Sequence, residues 1–178
     1  MNPSLLAATV LFTILALGST QAQHHPAPGA STYRGFEKRA VKALSDQHIA
    51  DLRAGRGAGL ALPAELNGYP GPLHVLELAD RLTLSNAQRA SVRQLHESMR
   101  TEVIPIGERL VAQETELDKA FATKTITPAS LVAATDATAR TQAALRAAHL
   151  GYHLSTAEAL TPDQIHRYGE LRGYAGPK

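Results

Sequence analysis

The chain has 178 residues and a formal charge of +2 at pH 7, too slight a basic excess to point to a nucleic-acid partner. It has no tryptophan and only 4% aromatic residues, so stacking platforms for bases are missing too. It also has no cysteine, which excludes disulfides, thiolate metal ligands and cysteine nucleophiles.

Residues 5–18 form an apolar run of the length of a secretory h-region, shorter than the roughly 20 residues that span a bilayer. Thr20 and Ala22 hold the small-residue positions of a signal peptidase site. A cleaved signal peptide is therefore expected over residues 1–22, with a retained N-terminal anchor as the alternative. Residues 23–44 are rich in Pro, Gly, Ser and His at their start and read as a disordered leader. Cleavage after Ala22 leaves Gln23-His24-His25 at the terminus. Its amine, two backbone amides and third-position imidazole can form a square-planar Cu(II) or Ni(II) site.

A single all-α domain is expected over residues 45–178. Ser45 can cap a short helix bearing Ile49 and Leu52, which stops at Gly55, Gly57 and Gly59. No strand precedes these glycines, so they read as a helix stop and not as a phosphate cradle. Residues 60–66 can add a helical turn, 67–72 are a turn cluster, and 73–81 can form a helix. After Ser85, Val92, Leu95, Met99, Val103, Ile106 and Leu110 recur at steps of 3 or 4, and Leu117 and Phe121 resume the stripe. That pattern predicts a long amphipathic helix to about Phe121, with Pro105 kinking it near residues 102–104. Thr127-Pro128 is an N-cap followed by proline at N1, opening an alanine-dense helix over residues 128–159. A last helix, residues 162–172, ends at Gly173. No segment alternates with period 2. The architecture predicted is a long antiparallel helical hairpin with shorter helices packed on it.

Leu160-Thr161-Pro162-Asp163-Gln164 is a capping box, in which Thr161 and Gln164 satisfy each other's backbone N–H groups. Leu160 and Ile165 stand at the hydrophobic-staple positions, and Asp163 suits the positive end of the helix dipole. Leu84-Ser85-Asn86-Ala87-Gln88 repeats the box without the staple, because Arg89 follows. These twin segments resemble the twin LTxxQ motifs of the Spy/CpxP family of periplasmic proteins, over roughly residues 73–174, with Ser85 in place of threonine. The resemblance implies a cradle-shaped antiparallel homodimer in the periplasm. Members include ATP-independent chaperones, stress-signalling inhibitors, and heavy-metal sensors or resistance proteins.

Enzyme signatures are lacking: His149-Leu-Gly-Tyr-His153 has no glutamate to act as general base, and neither a nucleophile elbow nor a P-loop occurs. A client-binding surface is expected on Arg89, Arg93, His96 and Arg100 beside Val92, Leu95 and Met99. It would hold unfolded or misfolded periplasmic proteins and require no cofactor. The second expectation is a metal site. His149 and His153 share one helix face and can share Zn, Ni or Cu, with a third ligand from His96, Glu97, Glu102 or a second subunit. Alternatively, His149 and Tyr152 simply pack within the hairpin and His153 meets solvent. A third expectation is a regulatory partner of a membrane sensor kinase.

Overall fold

The structure, a computed structural model, describes residues 31–174. The signal-peptide segment and the Gln23-His24-His25 terminus lie outside them. Residues 35–174 form one compact unit, which holds all the helices among the described residues. No strand occurs among the described residues, where Val41 and Leu44 form an isolated bridge.

Six α-helices follow a 3-10 turn at Phe36–Lys38. α1 (Asp46–Ala54) starts where the Ser45 hydroxyl accepts the His48 N–H, and stops at Gly55, whose φ of 68° suits glycine. α2 (Leu62–Glu65) and α3 (Pro72–Glu77) are short and carry proline in their first turns. α4 (Asn86–Ala122) and α5 (Pro128–Glu158) form the long hairpin, and α6 (Pro162–Arg172) returns from its end. Each of these three opens with a complete capping box: Ser85 with Gln88, Thr127 with Ser130, and Thr161 with Gln164. The boxes fix the three starts where the sequence places them. Pro105 lies inside α4 without ending it.

Two apolar clusters hold the unit together. The first packs Val41, Leu44, Ile49 and Leu52 against Met99, Val103, Leu110 and Val111 of α4 and Leu145 of α5. The second packs Val75, Ala79, Leu82 and Leu84 against Val92, Leu160 and Tyr168. Gly107 allows the first cluster to close. A Cβ there would lie 2.8 Å from the Leu52 carbonyl oxygen, so the backbone of α1 rests directly on α4.

The first cluster corrects the expected leader. Val41 and Leu44 are 4% and 5% exposed and belong to the core. Burying each contributes about 1.5–3 kcal/mol, which offsets the cost of ordering the short segment ahead of Ser45. The Pro- and Gly-rich composition upstream concealed these two apolar positions.

Candidate functional site

A cleft of about 600 Å³ opens between the residue 55–59 loop, α2, the start of α3, and the facing sides of α4 and α5. That is the size of an ordinary small-ligand pocket. α4 contributes His96, Met99 and Arg100; α5 contributes His149 and His153. These positions meet because α4 and α5 run side by side, sharing the most extensive helix contact in the unit. Arg172 and Tyr174 reach the cleft from the end of α6.

The two α5 histidines are held differently. His153 Nδ1 lies 2.7 Å from the Tyr69 carbonyl oxygen. A carbonyl only accepts, so Nδ1 carries the proton and a neutral ring keeps its lone pair on Nε2. The ring covers Gly71, where a Cβ would come within 2.9 Å of it. His149 is 2% exposed and lies beside Gly57 of the loop. Burial, reinforced by His153, pushes its pKa below the usual imidazole value. His96 is shifted the same way, by burial and then by Arg100, with Glu97 and Glu77 opposing.

Glu65 forms the back of the cleft. Its Oε2 accepts the Gly71 N–H at 3.2 Å and lies 3.7 Å from His153 Nδ1. Its Oε1 accepts the hydroxyls of Tyr168 and, at 3.4 Å, Tyr174, with Arg172 Nε 3.7 Å away. Burial first, and Glu65 second, raise the Tyr168 pKa far above the ordinary phenol value, so its hydroxyl stays a donor. One buried carboxylate thus ties α2 and the start of α3 to α5 and α6. Sequence reasoning missed it, because a lone glutamate in a short Leu-Pro-Ala-Glu turn reads equally well as exposed.

The twin capping boxes meet across the structure. Gln88 Nε2 donates to Gln164 Oε1 at 2.8 Å and to the Ala159 carbonyl at 3.1 Å. Gln164 Nε2 donates to Gln88 Oε1 at 3.1 Å and to the Leu82 carbonyl at 3.3 Å. Each Oε1 still accepts its own cap N–H, from Ser85 at 3.0 Å and Thr161 at 2.9 Å. The repeated motif therefore joins the start of α4 to the start of α6, and both amides are fully engaged in that joint.

A family model described as heavy-metal resistance matches residues 57–167, more than half of the chain. The chain belongs to the heavy-metal resistance family. This is the family of Spy/CpxP-like periplasmic proteins. No curated protein and no solved structure matches the chain.

The heavy-metal resistance match encloses both glutamines of the joint and the His96, Arg100, His149 and His153 side chains of the cleft. The residues expected on a client surface divide four ways. His96, Met99 and Arg100 line the cleft; Arg93 is exposed and Leu95 half-buried. Val92 is 0% exposed within the second cluster, so it is removed from that surface: α3 and α6 already cover it. Arg89 is tied down, with Nη2 2.7 Å from Asp80 and Nε 3.2 Å from the Leu84 carbonyl. His153 is buried and does not meet solvent. Of the further ligand candidates, Glu102 accepts the Tyr152 hydroxyl at 2.9 Å, Glu97 is exposed, and His96 shares the cleft with the histidine pair. Among the described residues no three His, Asp or Glu side chains are gathered as a metal site.

Proposed function

We propose that this member of the heavy-metal resistance family is an exported, stress-protective protein that holds unfolded chains at its cleft without ATP. The observation that carries the reading is an apolar rim. Leu62, Leu66, Tyr69 and Leu73 are 55%, 57%, 43% and 36% exposed, and Leu62 and Leu73 line the cleft itself. Exposed apolar residues gathered in this way mark binding surfaces. Covering them releases roughly 25 cal/mol per Å² of apolar area, which needs no nucleotide. Arg93 and Arg100, both exposed on α4, would speed encounter with acidic segments. Pairing of two subunits belongs to the same proposal, but Val92 is already enclosed within one subunit and must be excluded from that interface.

The second reading is metal capture, favoured by the position of His149 and His153 in the same cleft as His96. Burial favours neutral rings at His149 and His96, the state that coordinates Zn, Ni or Cu. Aggregation of a chemically denatured model protein, followed by light scattering without ATP and with or without each metal, separates the readings. Suppression that ignores metal supports client holding. Stoichiometric metal binding lost in His149→Ala and His153→Ala, without suppression, supports the second reading. Neither result leaves a regulatory partner of a membrane sensor kinase.

A further inference from the structure

The charges that line the cleft nearly cancel. Asp51 and Arg56 pair at 2.6 Å. Glu65 is engaged by Tyr168, Tyr174 and Arg172. At the rim, His74 lies 3.0 Å from Glu77. Arg100 is different: it lines the cleft and is exposed, and none of the ion pairs formed among the described residues includes it. Glu97, three residues earlier on α4 and also exposed, makes no ion pair with it among those residues. One guanidinium therefore stands unneutralised next to Met99 on the cleft wall, with Leu62 and Leu73 lining the same space.

We infer that the cleft selects unfolded segments that place a carboxylate beside a large apolar side chain, and that Arg100 is the group that reads the carboxylate. This rests on the client-holding reading above and names its substrate class. The chemistry is complementary on both counts. A guanidinium presents a planar fork of donors that matches a carboxylate in two hydrogen bonds, while the apolar rim takes the neighbouring side chain. A segment with glutamine in place of glutamate keeps the apolar contact and loses the charge-assisted pair.

The chain has no tryptophan, so a tryptophan in a peptide reports binding against a dark background. Two blocked dodecamers, identical except for Glu-Trp-Leu or Gln-Trp-Leu at their centre, are titrated with the full chain at low salt. The acidic peptide should bind about tenfold tighter. Arg100→Gln should erase that difference by weakening the acidic peptide's binding, whereas Arg109→Gln, at an exposed α4 position outside the cleft lining, should preserve it. Circular dichroism checks that both variants, at exposed positions, keep their helices. Equal binding of the two peptides by the parent chain, or discrimination that survives Arg100→Gln, overturns this inference and leaves client holding intact. Binding of neither peptide overturns both.

Discussion

Gln88 and Gln164 exchange two side-chain hydrogen bonds, at 2.8 and 3.1 Å, while each also completes the cap of its own helix. A cap alone predicts that Thr161→Ala costs about 1 kcal/mol and that Gln164→Ala costs less. The joint reverses that order. Gln164→Ala strands the partner amide and should cost about 1–3 kcal/mol, as should Gln88→Ala. The double variant should be less destabilised than the sum of the two, by at least about 0.5 kcal/mol. Urea unfolding of the four proteins measures this directly. Strict additivity would mean that the two motifs act as independent caps.

Glu65 yields a second prediction. Glu65→Ala leaves Tyr168, Tyr174, Arg172 and the Gly71 N–H without their acceptor, so it should destabilise by about 3 kcal/mol. Tyr168→Phe removes one donor and leaves the others, and should cost nearer 1 kcal/mol. Thermal melts that rank the two the other way would show that ring packing, and not the carboxylate, anchors α6.

Much of this fold is written locally. Ser85, Thr127 and Thr161 announce helix starts because a cap depends only on residues within one turn, and Gly55 and Gly173 mark stops for the same reason. The apolar stripe of α4 gives its length. What the stripe does not give is which of its members face a neighbour and which face a cleft. Val92 and Met99 share one helical face, yet one is sealed under α3 and α6 and the other floors a pocket. That His96 lines the same cleft as His149 and His153 depends on how α4 and α5 align along the hairpin, which no local pattern records. The Gln88–Gln164 joint was hidden for another reason. Each amide already had a complete local explanation as a cap, and a side chain's second partner leaves no mark in the sequence.

His149 sets a pH dependence. Burial holds its folded pKa below the unfolded value of about 6.5. Between those two values the unfolded chain binds more protons, so stability rises with pH through that window and is lost as pH falls below about 6.5. His96 acts in the same direction. Asp51, whose pKa is lowered chiefly by its hydrogen bond from Arg56, loses its contribution only in the acid range below the usual carboxylate value. The melting temperature should therefore be lower at pH 5.5 than at pH 7.5, and His149→Gln should narrow the gap. An unchanged gap in that variant would place the effect elsewhere.

Two helix glycines should respond oppositely to alanine. Gly107→Ala drives a methyl to 2.8 Å from the Leu52 carbonyl; overpacking of that kind costs about 1–3 kcal/mol, more than the roughly 0.5–1 kcal/mol gained in helix propensity. Gly151→Ala meets nothing within 4 Å and should stabilise by that propensity gain alone. Paired melts of the two variants test whether α1 lies as closely on α4 as described.

The central claim is that clients are held at the cleft rim and not at another apolar surface. Phe121 and Val132, near the hairpin turn, are 54% and 67% exposed and provide the comparison. The decisive measurement is aggregation suppression by two double variants, Leu62→Ser/Leu73→Ser at the rim and Phe121→Ser/Val132→Ser at the turn, each confirmed to be folded. The rim variant should lose most of its suppression and the turn variant should keep it. Full suppression by the rim variant with loss in the turn variant would contradict the account.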